Sequence, residues 1–248
     1  MPEWLAAGAA GLMAGAALVL GSVIAWFISV PARVVAAIMA FGAGVLISAL
    51  SFELVDEAME QGGLAATAVG FLSGALIYVV CNLLLARQGA RHRKRSGDQQ
   101  PSASEGPGVA IAVGALIDGI PESMVLGLSF LTGGGLSLPM LAAVFISNVP
   151  EGLSSTAGMK NAGRGLGYVF GIWGGIAVLS GVASLAGYLL LDGAAATTLA
   201  FVNALAAGAI LAMITDTMVP EAFEKASLYA GLIATLGFLA AFSLHSLG

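Results

Sequence analysis

Long apolar stretches separated by short polar breaks run along this chain from end to end. They lack the strict alternation of half-buried strands, and most exceed the length of an ordinary core helix; about 20 mainly apolar residues suffice to cross a bilayer. The pattern predicts eight spanning helices, at roughly 4–28, 34–58, 64–86, 108–130, 138–160, 166–191, 197–220 and 227–247. One connection is long: residues 87–107, RQGARHRKRSGDQQPSASEGP, which is polar, basic and reads as a flexible loop. The expectation is a single transmembrane domain over residues 1–248, an all-α polytopic membrane protein.

Composition sharpens this picture. The 248 residues are 58% hydrophobic and 9% charged, against about 25% charged in soluble domains. Apolar content spread over the whole length excludes a soluble domain with one anchor. The partner it implies is the lipid bilayer, with no nucleic acid. Cys81 is the single cysteine, which excludes an intrachain disulfide and a CxxC metal site. The first apolar run starts at Trp4 without a basic stretch before it, so no cleavable signal peptide is expected.

Charge placement orients the helices. If residues 87–107 are cytoplasmic, alternate connections hold Arg33; Arg87, Arg91, Arg93, Lys94 and Arg95; Lys160 and Arg164; and Lys225. These are all 9 Lys and Arg of the chain. The opposite side offers Glu3, Glu57, Glu60 and Asp192. By the positive-inside rule both termini lie outside the cytoplasm, in a multi-pass protein of the cell (inner) membrane.

Two segments repeat. Residues 43–60, AGVLISALSFELVDEAME, resemble residues 207–224, AGAILAMITDTMVPEAFE, at a constant offset of 164. Ala43, Gly44, Val55, Glu57, Ala58 and Glu60 match Ala207, Gly208, Val219, Glu221, Ala222 and Glu224. The first copy runs outward and the second inward, so the repeat has inverted topology. Secondary transporters are often built this way, with the substrate site near the midplane. The helices group as 3+2+3, with the fourth and fifth at the centre.

Those central helices carry the chemistry. Ile117-Asp118-Gly119-Ile120-Pro121-Glu122 and Ile146-Ser147-Asn148-Val149-Pro150-Glu151 are near-copies, 29 residues apart. Each sets a carboxylate after a proline inside an apolar run. An ionisable group at membrane depth is costly and marks a functional site. A helix proline frees a carbonyl one turn back, near Ile117 and Ile146. Asp118 and Glu122 share one helix face, as do Ser147 and Glu151, with Asn148 beside them. Asp216 lies midway along the seventh helix, between Thr215 and Thr217. Converging carboxylates repel unless neutralised, either by a divalent cation held by oxygen ligands or by protons in a relay. A hydrogen-bonded structural cluster is the third option. Glu53, Asp56, Glu57 and Glu60 read as a solvated helix end or a cation-attracting vestibule. Glu221 and Glu224 read as a matching exit or interfacial charge. His92 and His245 read as incidental, and Gly163, Gly167, Gly171 and Gly175 as a close-packing stripe on the sixth helix.

The motifs now resemble the ZIP (Zrt-/Irt-like) family of divalent metal transporters, its bacterial branch in particular. That family has eight helices, outward termini, a long cytoplasmic loop after the third helix, and a 3+2+3 inverted repeat. Its signatures are His-Asn-x-Pro-Glu-Gly on the fourth helix and x-Asn-x-Pro-Glu-Gly on the fifth. Asp118-Gly119-Ile120-Pro121-Glu122-Ser123 and Ser147-Asn148-Val149-Pro150-Glu151-Gly152 stand at those places, and Val219-Pro220-Glu221-Ala222 is similar to the family's Pro-Glu-Ala ending. Asp118 and Asp216 replace family histidines, and Gly119 replaces an asparagine. Ser184 stands where the family often has a second-site glutamate.

The resemblance implies transport of a divalent metal ion (Zn²⁺, Mn²⁺ or Fe²⁺) into the cytoplasm through metal ligands Asp118, Glu122, Ser147, Asn148, Glu151 and Asp216. The ion is the transported substrate; no permanently bound cofactor is expected. An all-oxygen set favours harder ions, although Zn²⁺ also accepts carboxylates. The alternatives are a proton-coupled permease for a small organic solute and a degenerate, weakly transporting ZIP-like protein. No enzyme motif is present. Oligomeric state is open, a homodimer among the options.

Overall fold

The computed structural model describes residues 1–87, 109–132, 135–226 and 228–247, without the side chains of residues 109–112 and 225. Most of the loop at 87–107, with Arg91, Arg93, Lys94, Arg95 and His92, and the Lys225 side chain therefore lie outside the described residues. The elements are α1 (Glu3–Phe27), α2 (Ala32–Ala49), α3 (Asp56–Ala86), α4 (Val109–Leu128), α5 (Leu138–Asn161), α6 (Leu166–Leu191), α7 (Ala196–Met213), α8 (Val219–Ala226) and α9 (Ala230–Leu247). A π-helical segment, Leu50–Val55, joins α2 to α3, and a second, Ile214–Met218, joins α7 to α8. Among the described residues there is no strand.

The chain ends its helices where the local chemistry requires. Pro2 and Pro31 precede α1 and α2, where a missing N–H costs nothing. Ser137 caps α5, its side chain accepting from the Met140 amide at 3.1 Å. Gly63 interrupts α3 at φ 70° and ψ 178°, a backbone that a side chain would strain. Two arms thus meet inside what is otherwise one continuous helical run.

Among the described residues, five stretches are long and apolar enough to cross a membrane: Glu3–Phe27, Ala32–Ala86, Leu166–Leu191, Ala196–Glu224 and Ala230–Leu247. The second has 55 residues, more than one crossing requires. Large apolar side chains point outward, among them Leu64 (72% exposed), Leu72 (70%) and Leu190 (79%). Polar ones such as Ser22, Ser147, Asn148, Ser154, Thr156 and Ser184 are buried. This reverses the usual arrangement of a protein in water and fits a lipid-facing surface around a polar interior. The molecule is an all-helical, multi-pass membrane protein.

Packing is reciprocal. α1 lies along α5 and α6, α4 along α6, α2 along α9 and α3 along α7. Small residues set these close approaches: a Cβ at Gly44 would overlap the Ala234 carbonyl of α9, and one at Gly208 would overlap the Phe71 carbonyl of α3. The expected stripe on α6 does not work this way. Gly163, Gly167, Gly171 and Gly175 have nothing within 4 Å of a built Cβ. Gly163 instead ends α5 at φ 79°, and helix packing relies on Gly11 and Gly15 of α1, which abut Ser180 and Ala177 of α6.

Polar contacts tie the helices together at both ends. Lys160, at the end of α5, donates to the Trp26 carbonyl at 2.9 Å, so the end of α1 and the end of α5 meet. At the other end Glu53 meets Ser137 and His245, and Tyr188 donates to Glu3 at 3.1 Å.

Candidate functional site

α4 and α5 carry Pro121 and Pro150 inside unbroken helices. Each proline lacks an amide N–H, leaving the carbonyl one turn earlier without its usual helical partner. Around these two places the polar residues are buried: Asp118 (2% exposed), Glu122 (1%), Ser147 (0%), Asn148 (4%) and Glu151 (4%). The Tyr78 hydroxyl of α3 donates to Asp118 Oδ1 at 2.8 Å. Asn148 Nδ2 donates to the Ala14 carbonyl of α1 at 2.9 Å, and Ser147 Oγ donates to the Val144 carbonyl at 3.0 Å. Each such bond is worth about 1 kcal/mol net, and more is lost when a buried partner is stranded. Asp118 is thereby tied to α3 and Asn148 to α1.

Asp216 behaves differently. It is exposed, and its Oδ2 accepts from Asn82 Nδ2 at 3.1 Å. Tyr78 and Asn82 are one turn apart on α3, so that helix touches Asp118 and Asp216 at successive levels. Asp216 lies in the π-helical segment Ile214–Met218, in which Ile214, Thr217 and Met218 are buried and Thr215 and Asp216 are exposed. Asp216 therefore does not join the buried group. Among the described residues no three His, Cys, Asp or Glu side chains are grouped so as to hold one metal ion. Of the four carboxylates expected to converge, Asp118, Glu122 and Glu151 are buried and Asp216 is exposed.

A residue given only peripheral roles belongs with them. Glu221 of α8 is 2% exposed, and Ser154 Oγ of α5 donates to its Oε1 at 3.1 Å. The signal was present in the sequence: Val219-Pro220-Glu221 is a third internal Pro-Glu step. Below Glu151, α5 continues as a buried polar run, Ser154, Ser155 and Thr156. Thr156 donates to Ser22 Oγ and accepts from Trp173 Nε1, both at 2.9 Å. A polar face thus follows α5 from Ser147 towards the end that holds Lys160.

The charge balance is one-sided. Asp118, Glu122, Glu151 and Glu221 are buried, whereas among the described residues no Lys or Arg is. Buried carboxylates at membrane depth need compensating positive charge or protons.

At the opposite end, a cavity of about 400 Å³ is lined by Glu53, Asp56, Glu57, Glu60, Asn203 and His245, among others. Glu53 Oε1 lies 2.6 Å from His245 Nδ1, and its Oε2 accepts from Ser137 Oγ at 2.7 Å. The His245 ring stacks on Phe52 with centroids 5.7 Å apart. His245 is therefore a wall of the acidic cavity, a role its isolation in the sequence concealed.

No known protein-family profile matches the chain. A protein of Arabidopsis thaliana whose name reads "Putative zinc transporter" is 28% identical over 221 residues, which cover 87% of this chain and 34% of that protein. The chain thus spans about a third of the length of the relative it resembles.

Proposed function

We propose that this protein carries a divalent metal ion across a membrane, with Glu122 and Glu151 as the central ligands. The observation that carries this reading is the set of buried carboxylates with no buried Lys or Arg among the described residues. A divalent cation neutralises them and accepts carboxylate, hydroxyl and carbonyl oxygens as ligands. The buried polar face of α5 supplies a path beyond the site. The zinc-transporter name of the Arabidopsis relative supports the same class of cargo.

Within this reading the chain is ZIP-like, with eight crossings in a 3+2+3 inverted repeat. The break at Gly63 divides Ala32–Ala86 into two crossings. The two π-helical segments begin at Leu50 and Ile214, positions that differ by the repeat offset of 164. Reciprocal packing of α2 on α9 and of α7 on α3 supports the same pseudo-symmetry. Positive-inside bias orients both termini outside, and flux into the cytoplasm is what the ZIP-like reading implies. Asp118, Ser147 and Asn148 serve as supporting oxygens, and Asp216 lies one level away, near the inner mouth.

Replacing Glu122 or Glu151 with Ala should abolish Mn²⁺ and Zn²⁺ binding at the central site, seen as the loss of one bound ion per protein by calorimetry, while the protein still inserts and elutes as a single species. Unchanged affinity in both variants would refute the central site. Uptake into proteoliposomes separates cargo classes: ion-dependent flux supports metal transport. Saturable flux of an organic solute without metal dependence supports a proton-coupled permease instead. Orientation is tested in a Cys81→Ala background. A cysteine replacing Gly97 should react with impermeant reagents from the cytoplasmic side, and one replacing Gly133 from outside; the reverse pattern overturns the topology.

A further inference from the structure

We propose a second cation site at the acidic cavity, formed by Glu57 and the amide oxygen of Asn203, where a divalent ion is held before it reaches the central carboxylates. Its role as an antechamber rests on the transport reading; its ligands do not. Acidic side chains around a cavity are not by themselves a site. The deciding observation is Asn203, which is 1% exposed, lines the cavity and has an Oδ1 atom that is buried without a hydrogen-bond partner. Its Nδ2 donates to Glu57 Oε2 at 3.2 Å. Gln61 repeats the arrangement: Nε2 donates to Glu57 Oε1 at 3.1 Å, and its Oε1 is likewise buried and unpartnered.

Two amides therefore satisfy one carboxylate, and each leaves a carbonyl oxygen stranded. Reversing the amides would set oxygen against carboxylate oxygen, so nitrogen towards Glu57 is the favourable arrangement without an ion. A buried unsatisfied carbonyl is costly, which something must offset. A cation does so. Half a turn of the Asn203 amide replaces N–H by oxygen on the side facing Glu57, giving the ion a carboxylate and a carbonyl together. Both are hard oxygen donors of the kind that bind Mn²⁺ or Ca²⁺. Asp56 and Glu60, lining the same cavity, add attractive potential. Glu53 is held by Ser137 and His245 and shapes the wall.

The test uses full-length protein in nanodiscs with Mn²⁺ as probe, read by calorimetry and by loss of the free-ion EPR signal. The Glu122→Ala/Glu151→Ala variant should retain one bound Mn²⁺. Adding Asn203→Ala or the isosteric Glu57→Gln should weaken that binding at least tenfold, whereas Asn203→Asp should keep or strengthen it. Absence of Mn²⁺ binding in the Glu122→Ala/Glu151→Ala protein, with binding in the wild type, would show that the amide oxygens hold water only and overturns the proposal. So would binding indifferent to both added changes. If instead Glu57→Gln alone removes all binding and Glu122→Ala/Glu151→Ala removes none, the outer site stands and the central one falls.

Discussion

Residues 43–60 and 207–224 begin with the same Ala-Gly pair, enter a π-helical segment at matching positions and end in matching glutamates. Their ends differ. Glu57 is half-buried against a cavity of about 400 Å³ and is held by two amides. Glu221 is 2% exposed and accepts a hydrogen bond from the Ser154 hydroxyl. One local sequence thus serves an open end and a closed end. Surroundings, not the repeat, decide which carboxylate meets water.

The widest gap should be in accessibility. In a Cys81→Ala background, Glu57→Cys should react with an impermeant thiol reagent at least a hundredfold faster than Glu221→Cys. Equal rates would dissolve the contrast. Next come the paired glycines, Gly44 and Gly208, whose Cβ positions overlap backbone carbonyls of α9 and α3. Alanine at either should destabilise by about 1–3 kcal/mol, as overpacking does, and by similar amounts if the copies pack alike. Thermal unfolding of the two variants measures both effects. A smaller and more selective shift separates Asp118 from Asp216. Asp118→His adds an imidazole at a buried position and should raise the Zn²⁺/Mn²⁺ affinity ratio by about tenfold. Asp216→His, at an exposed one, should change the ratio by less than about twofold. Competition binding decides this; a large effect at Asp216 would put it back among the ligands. Least of all should follow from Gly167→Ala, where nothing lies within 4 Å; a change within about 0.5 kcal/mol is expected.

The helices themselves were legible. The apolar run expected at roughly 138–160 is α5, Leu138–Asn161, and the one at 166–191 is α6, Leu166–Leu191. Hydrophobic length and capping residues are local properties, so the sequence carries them directly. The two π-helical segments were not legible, because one extra residue in a turn is settled by packing and leaves the apolar pattern almost unchanged. The exposed position of Asp216 on the second of these segments, beside Asn82, was hidden for that reason. His245 and Glu53 are 192 positions apart, and no periodicity joins them. The stripe of Gly167, Gly171 and Gly175 had the right spacing but faces open space, since spacing does not reveal whether a partner helix is there.

The π-helical segments also give the bundle a place to move. An α-helix advances about 100° per residue, so relaxing a π turn to α geometry rotates everything beyond it by roughly that angle. In the segment Ile214–Met218 the part beyond is α8, which carries Glu221. One turn's rearrangement would swing that carboxylate away from Ser154 while α7 stays seated on α3, a screw motion confined to a few residues. A spin-label pair on α5 and α8 would register it as a distance change on adding Mn²⁺, whereas a fixed distance would make the wide turn a static one.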